Sequence, residues 1–169
     1  RQACADAEAI GAALEAALFV PEEAAGLVEQ FVDPVRELKP TIARWMVFDA
    51  DGLPATPKAY GRVQAALKEL TPSVPVGGGV NGFFTDLNRE RPDTSVMDTV
   101  AYSLNPQVHA FDNRSLMETP EAQAATVQSA EAIADGKPVI VSSVTLKPRP
   151  APSDVRNGLK HAGGQLPRY

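Results

Sequence analysis

Two stretches of this sequence, residues 74–89 and 102–112, each run from a short apolar segment into polar side chains. Their candidate site residues are Asn81, Asp86, Asn88, Asn105, Gln107, His109 and Asp112. Amide side chains hydrogen-bond to hydroxyl and carbonyl oxygens, whereas an imidazole or a carboxylate transfers protons. The combination is suited to acid–base chemistry on a small polar substrate.

His109 is the first candidate for a general base, because an unperturbed histidine has a pKa near ~6.5. It would activate water or pass a proton to a leaving alkoxide. Asp112 follows three residues later, a spacing that permits a carboxylate to orient the imidazole without requiring it. Asp86 is another candidate base, although an aspartate at the start of a helical turn is equally typical of a cap. A structural histidine is the open alternative for His109.

The candidate substrate-binding residues are four amides and two cations. They are Asn81, Asn88, Asn105, Gln107, Lys147 and Arg149. Asn81 follows closely on three glycines, which allow a backbone to approach a ligand. Lys147 and Arg149 follow the last predicted strand, where a cation attracts a carboxylate or polarises a carbonyl. The ordinary alternatives are helix and turn caps for the amides and solvated surface charges for the cations.

Several common catalytic patterns are missing from the sequence. It has no G-x-S-x-G nucleophile motif, so acyl transfer through such a serine is not expected. Its two histidines, His109 and His161, form no close pair, and we expect neither a metal nor another cofactor. Residues 49–52 begin like a calcium loop but lack the later ligands, which predicts a turn with Asp49 as a minor site candidate.

Composition limits the class of protein. The 169 residues, 44% of them hydrophobic and with a net charge of -5, predict one globular domain without the basic stripe of a nucleic-acid-binding surface. No apolar run approaches the roughly 20 residues that cross a bilayer. With a single cysteine, Cys4, and no secretory signal pattern, a cytoplasmic location is expected. Because the sequence starts at Arg1 rather than Met, we expect it to be part of a longer chain.

Short apolar segments at regular intervals predict a series of strands joined by helices. The predicted strands cover residues 14–20, 44–49, 74–79, 99–104 and 139–146. The first three begin 30 residues apart, about the length of a βαβ unit. Apolar residues at helical spacing predict a helix between the first two strands, and Thr56 with Pro57 predicts the start of the next helix.

The later connections are less regular. Residues 83–92, which are rich in polar side chains, and residues 108–117 are predicted as long loops. The last helix is predicted to open at Thr119 and Pro120 and to stop at Gly136. Prolines and glycines beyond residue 147 predict an irregular end.

Five strands with helical crossovers predict an all-parallel sheet, either doubly wound or part of a (β/α)8 barrel. The first predicted strand is not followed by the G-x-G-x-x-G turn of a dinucleotide-binding fold, which disfavours the doubly wound alternative. A complete barrel takes roughly 250 residues. We therefore expect residues 1–169 to form a single partial (β/α) barrel, TIM-barrel-like and about five strands wide, which the remainder of its own chain completes.

Three blocks in this order, residues 77–89, 102–112 and 144–149, resemble the central barrel domain of the D-apionate lactonase family. The resemblance extends over most of the chain and implies that its strands are about the third to seventh of a barrel. It also implies a hydrolase that opens a sugar lactone, D-apionolactone, to D-apionate. The polar residues above would then lie in a pocket at the carboxyl ends of the strands.

Two other functions stay open. A glycoside hydrolase barrel needs two carboxyl groups beside the scissile bond. These would come partly from absent strands. Glu118 is the one glutamate of this sequence that is a candidate to lie in the pocket. A noncatalytic carbohydrate-binding barrel would keep the amides and the aromatic residues Phe83, Phe84 and Phe111. Neither nucleic acid nor a membrane is expected as a partner.

Overall fold

The computed structural model describes residues 1–22, 27–107 and 112–146. In chain order the elements are α1 (Gln2–Ala9), β1 (Leu14–Phe19), α2 (Leu27–Leu38), β2 (Ile42–Phe48), α3 (Pro57–Leu70), β3 (Val76–Phe83), α4 (Phe84–Glu90), a 3₁₀ turn (Thr94–Val96), β4 (Val100–Leu104), α5 (Asn113–Ala134) and β5 (Val139–Val144). All five predicted strands are confirmed, although their ends differ by a few residues. Within these ranges no helix has the length and apolar character that spanning a bilayer requires.

The five strands form one parallel sheet in which each strand pairs with the next along the chain. The sheet curls, since the Ser142 hydroxyl on β5 donates a hydrogen bond to the Glu15 carboxylate on β1, although three strands lie between them. A curled parallel sheet with helical crossovers is a half-barrel. The prediction of a partial (β/α) barrel of about five strands is therefore confirmed.

The outer face of the sheet packs against the helices in two clusters. One cluster joins the first three strands to α3 through Leu18, Trp45, Val47, Val76, Tyr60, Val63 and Leu67. The other joins β3 and β4 to α4 and α5 through Val80, Val100, Tyr102, Leu87, Ala130 and Ala134. Removal of this apolar surface from water, worth about 25 cal/mol per Å², holds α3, α4 and α5 on the sheet.

The inner face carries the strand residues that alternate with those of the outer clusters, as the two-residue period of a strand requires. Its apolar centre consists of Phe19, Met46, Phe48, Ala101 and Ile140. The rings of Phe19 and Phe48 lie with their centroids 5.7 Å apart where β1 and β2 end. The concave side of the half-barrel is thus partly filled by side chains, as the interior of a barrel is.

Helix α3 begins as predicted from Thr56 and Pro57. The Thr56 hydroxyl accepts a hydrogen bond from the Ala59 backbone N–H at 3.3 Å, and Pro57 stands at the first helical position, where no N–H is needed. The Tyr60 hydroxyl donates to the Val76 carbonyl oxygen at 2.8 Å. Burial raises the pKa of Tyr60 well above its ordinary value, so the hydroxyl stays a donor that fixes α3 to the start of β3.

The predicted loop over residues 83–92 is wrong, because β3 continues to Phe83 and α4 follows at once. The Asp86 Oδ2 accepts a hydrogen bond from the Phe83 backbone N–H at 3.1 Å, which caps the first turn. Leu87 is fully buried beneath the helix. A helix of seven residues with one fully buried apolar side chain has no stripe that a sequence pattern detects.

The predicted start of the last helix at Thr119 is also wrong, because α5 already begins after Asp112. The Asp112 Oδ1 accepts a hydrogen bond from the Ser115 backbone N–H at 2.9 Å, and Pro120 lies inside the helix. A proline inside a helix removes one helical hydrogen bond, whereas in the first turn it removes none. Proline is therefore typical of helix starts, and for this reason Pro120 was interpreted as one. The predicted stop is confirmed, since Gly136 follows the helix end with a positive φ of 81°.

Candidate active site

Asn81 lies near the end of β3 on the inner face, because the preceding residue, Val80, packs in the outer cluster. The Ser103 hydroxyl lies within hydrogen-bond distance of the carbonyl oxygens of Asn81 and Ser142, at 3.1 and 3.0 Å. Ser103 is 4% exposed. It therefore holds β3, β4 and β5 together at the end of the sheet where ligand sites of parallel folds occur.

The glycines before Asn81 serve the packing of the strands. A Cβ on Gly79 would lie 2.2 Å from the Ala101 carbonyl oxygen, and the φ of Gly79 is +116°. A Cβ on Gly77 would lie 2.1 Å from Thr99 Oγ1. Close approach of β3 to β4 therefore explains these two glycines without a ligand.

Asn105 and Gln107 follow β4 and are buried amides, with exposed fractions of 4% and 2%. The Asn105 Oδ1 accepts a hydrogen bond from the Gln107 backbone N–H at 2.7 Å. The Asn105 Nδ2 and the Gln107 Nε2 have no hydrogen-bond partner among the described residues. A buried donor without a partner costs about 1–3 kcal/mol. Both NH2 groups are therefore candidates to bind an oxygen of a ligand.

Asp86 and Asn88 both lie on α4, where their side chains serve the helix. Besides capping the first turn, Asp86 pairs with Arg89 at 3.3 Å. Asn88 is exposed, and its Oδ1 accepts a hydrogen bond from Arg91 Nη2 at 2.5 Å. These contacts favour the cap interpretation of Asp86. A role as base for Asp86 and substrate contact for Asn88 stay predictions.

Asp112 is the N-cap of α5, whereas its predicted partner His109 lies outside the described residues. The two carboxylate oxygens of Asp112 accept hydrogen bonds from the Ser115 hydroxyl and backbone N–H, at 2.7 and 2.9 Å. These bonds hold the pKa of Asp112 below its ordinary value. Lys147 and Arg149 also lie outside the described residues. Their roles, and any contact between His109 and Asp112, stay predictions.

Two minor candidates have structural contacts. The Asp49 Oδ1 accepts hydrogen bonds from the backbone N–H groups of Asp51 and Leu53, both at 2.8 Å, which confirms the predicted turn. Glu118 lies within α5 and pairs with Arg114 at 2.8 Å on the exposed side of the helix. Glu118 is therefore inside a helix, whereas the predicted loop over residues 108–117 and helix start at Thr119 would have placed it at the end of a loop.

A charged pair on the inner face was missed by the sequence patterns. Arg44 Nε lies 3.0 Å from Glu15 Oε2, and the second carboxylate oxygen of Glu15 accepts the hydrogen bond from Ser142. Glu15 and Arg44 are the only charged residues in the five described strands and are partners in the register of β1 and β2. A charge near the start of each of two successive apolar strands is the signal that would have revealed the pair.

The described part of the site offers oriented hydrogen-bond donors and an apolar inner wall. Such groups bind a polar, uncharged molecule and polarise its oxygens. Among the residues with a described placement there is no cluster of three or more histidine, cysteine, aspartate or glutamate side chains that would hold a metal ion.

Comparisons with known proteins agree with this architecture and with the resemblance noted in the sequence. A family model described as D-apionate lactonase, TIM barrel domain, matches residues 1–162. The D-apionate lactonase of Brucella anthropi is 32% identical over 144 residues, which are 85% of this chain and 22% of that protein. The chain thus spans about a fifth of this relative's length. No solved structure shows a significant match. Since the family match covers residues 1–162 and the sheet is a curled parallel half-barrel, the chain belongs to the D-apionate lactonase TIM barrel domain family.

Proposed function

We propose that the protein containing this chain hydrolyses a sugar lactone, D-apionolactone, to D-apionate, and is therefore a carboxylic-ester hydrolase. The observation that carries the proposal is a pair of buried amides, Asn105 and Gln107, which follow β4. Neither NH2 group has a hydrogen-bond partner among the described residues. Active sites of TIM barrels lie at the carboxyl ends of the strands. The family, and a relative named D-apionate lactonase, support the substrate class.

Hydrolysis of a lactone needs a base that activates water and donors that stabilise the developing oxyanion. His109 is the favoured base, because the carboxylates of Asp86 and Asp112 already accept the hydrogen bonds that cap α4 and α5. The NH2 groups of Asn105 and Gln107 would stabilise the oxyanion. The protonated base would then return its proton to the alkoxide that leaves as the ring opens.

The other predicted residues would bind the rest of the substrate. Asn81, on the inner face, would hold a ring hydroxyl. Lys147 and Arg149 would polarise the carbonyl or attract the carboxylate of the product. Asn88 is the least favoured of the predicted substrate-binding residues, because its side-chain oxygen already accepts a hydrogen bond from Arg91.

The remainder of the longer chain would complete the barrel. In the described sheet β1 pairs only with β2 and β5 only with β4, so each has one edge without a strand. A closed barrel has no such edges. Further strands beside β1 and β5 would cover the inner face and contribute site residues.

A glycoside hydrolase is less favoured by the described strands. That reaction needs two carboxyl groups about 5–9.5 Å apart. Glu15 is the one acid in these strands, and its two oxygens already contact Arg44 and Ser142. Both catalytic acids of a glycosidase would have to come from loops or from other strands.

The test uses the full-length protein with D-apionolactone and, separately, with a panel of aryl glycosides. Proton release reports lactone opening, and aryl release reports glycoside cleavage. We expect proton release without aryl release. Aryl release alone would replace the lactonase proposal by a glycosidase, and silence in both assays would favour an unrelated substrate or a noncatalytic barrel.

A further inference from the structure

Polar contacts on the inner face of the half-barrel join into one chain. Arg44 on β2 forms an ion pair with Glu15 on β1, and the Glu15 carboxylate accepts a hydrogen bond from the hydroxyl of Ser142 on β5. The backbone carbonyl oxygen of Ser142 lies 3.0 Å from the Ser103 hydroxyl on β4, and this hydroxyl lies 3.1 Å from the carbonyl oxygen of Asn81 on β3. Each of the five strands therefore contributes a group to this chain of contacts, which we call the inner-face network.

The alternation of side chains along the strands places the network on the inner face. Each of its four side chains has a neighbour along the chain that packs in or against an outer cluster. These neighbours are Ala16, Trp45, Tyr102 and Val141. The network therefore lies on the concave side, away from the helices.

The charged end of the network fixes the direction of its hydrogen bonds. Arg44 Nε is buried and meets Glu15 Oε2 as an ion pair at 3.0 Å, without a directed hydrogen bond between the two atoms. Both side chains are only 30% exposed, and Arg44 supplies the opposite charge that a partly buried carboxylate needs. A carboxylate accepts hydrogen bonds and donates none, so the Ser142 hydroxyl donates its one proton to Glu15.

The contact between Glu15 and Ser142 spans the concave face, because β1 and β5 have three strands between them in the sheet. At the other end of the network, Ser103 joins β3, β4 and β5 near their carboxyl ends, where the candidate site lies. A change in the curl of the sheet would move the Ser142 carbonyl oxygen and, through Ser103, the backbone of Asn81. The network thus connects the width of the concave face to the position of a predicted substrate-binding residue.

We propose that Glu15 and Ser142 are positioning residues that set the curl of the half-barrel and, through Ser103, hold Asn81 in place for the substrate. The proposal rests on the proposed lactone hydrolysis, in which Asn81 holds a ring hydroxyl. Neither Glu15 nor Ser142 contacts the substrate. A displacement of about 1 Å in a group that orients a substrate costs up to about 100-fold in rate. Loss of the contact should therefore lower kcat more than it raises KM, because the misaligned lactone still binds through its other contacts.

The test compares variants of the full-length protein at residue 142. Ser142→Ala removes the hydroxyl but keeps the carbonyl oxygen near Ser103, and we expect kcat for D-apionolactone to fall about tenfold or more while KM changes less than about threefold. Ser142→Thr keeps a hydroxyl at a strand position, where β-branched residues are favoured, and should restore most of the activity. Ser73→Ala, at an exposed serine between α3 and β3, is the control and should leave both constants unchanged.

Hydrogen–deuterium exchange of the same variants reports on the network without a substrate. In Ser142→Ala the amides of β3 should exchange about threefold faster or more, although the substituted residue lies on β5, while α2 should exchange as in wild type. In a Ser103→Ala background, Ser142→Ala should add little to the exchange of β3, because the connection through Ser103 is already broken. A contact that only stabilises β1 and β5 would change neither the exchange of β3 nor the kcat of the folded variant.

Glu15→Gln tests the other end of the contact. It keeps an acceptor for Ser142 but leaves Arg44 without its opposite charge, and kcat should fall to an extent similar to that in Ser142→Ala. Near-ultraviolet circular dichroism reports whether each variant is folded, and if Ser142→Ala is not, Glu15→Gln decides.

Three results would overturn the proposal: β3 exchange like wild type in the folded variants, an unchanged kcat in both, or a rise in KM alone. A large loss of kcat in Glu15→Gln with a normal kcat in Ser142→Ala would also overturn it, because Glu15 would then act on the substrate itself. Exchange of β3 that depends on Ser142 in a protein without lactonase activity would sink the proposed function and leave the network standing. Normal hydrolysis in every variant would do the reverse.

Discussion

At the scale of single residues, Asn105 shows how one hydrogen bond decides which polar atom of a buried amide is left without a partner. Its position after a strand made it a binding candidate, but the sequence does not show which of its polar atoms is engaged. In the folded chain Oδ1 accepts the Gln107 N–H, so Nδ2 is the group left over. A donor fixed in this way does not have to reorganise when a ligand binds.

His109 has the sharpest kinetic prediction. On the proposed lactone hydrolysis, His109→Gln in the full-length protein should lower kcat for D-apionolactone by about 10²- to 10⁴-fold, because glutamine would not accept the proton of the attacking water. The other histidine of the chain, His161, provides a matched control, and His161→Gln should leave kcat unchanged. Steady-state rates with a circular dichroism check of folding measure both. An unaltered kcat for His109→Gln would remove this residue from the mechanism.

Asp98 should make stability depend on pH. Its Oδ2 accepts hydrogen bonds from Val76 N–H and from Lys68 Nζ, both at 2.8 Å. Partial burial raises the pKa of Asp98, but the Lys68 ammonium and the Val76 N–H outweigh it, so the pKa lies below its ordinary value of ~3.9. Because the folded pKa is the lower one, the contribution is present above ~3.9 and is lost as the pH falls through the folded pKa.

We therefore expect Asp98→Asn to reduce the free energy of unfolding at neutral pH, and the difference from wild type to shrink below about pH 4. Denaturant titrations of the full-length protein at several pH values measure this difference. Glu121→Gln, at an exposed position on α5, is the control and should change stability little at any pH. A deficit of Asp98→Asn that stays constant or grows in acid would contradict the assignment.

At the scale of elements, the junction of β3 and α4 depends on a glycine. A Cβ on Gly82 would lie 2.3 Å from Asp86 Oδ2, so Gly82→Ala should displace the carboxylate from the Phe83 N–H. Loss of such a cap costs about 0.5–2 kcal/mol. We expect a decrease of that size in the free energy of unfolding of the full-length protein, measured by denaturant titration.

Gly61 is the matched control for Gly82. It lies within α3, and a Cβ there would meet no heavy atom within 4 Å. Gly61→Ala should therefore increase stability by about 0.5–1 kcal/mol, since alanine restricts the unfolded chain and favours the helix. If Gly82→Ala left stability unchanged or increased it, as Gly61→Ala should, Asp86 would not cap α4 in solution.

At the scale of the whole molecule, an isolated half-barrel should not stay monomeric. β1 and β5 each have an edge without a strand in the described sheet, and Glu15 and Ala17 of β1 are exposed. Val144, at the end of β5, is 63% exposed. Open edges and apolar surface of this kind promote association. Sedimentation velocity of residues 1–169 should show oligomers. The full-length protein at the same concentration should not associate through these strand edges. A clean monomer of residues 1–169 would contradict the partial-barrel interpretation.

Much of the fold was predictable because its signals are local. The strands have apolar side chains at the right intervals, and Thr56, Pro57 and Gly136 mark helix ends through their own backbone and side-chain chemistry. The short helix α4 was not predictable, because its stability depends on Leu87 reaching an outer cluster built from distant strands. Pro120 appeared to begin a helix because proline is typical of the first helical turn, whereas α5 starts at Asn113, after its N-cap Asp112.

By itself the sequence determined the parallel barrel class, the family resemblance and the positions of Asn81, Asn105 and Gln107 near strand ends. Only the tertiary structure decided which polar atoms remain available, that Glu15 pairs with Arg44 and contacts Ser142 across the curl, and that Asp86 caps a helix. The physical reason is range: periodicity and capping act within a few residues along the chain. Burial and the pairing of polar groups depend on which distant segments the curled sheet brings together.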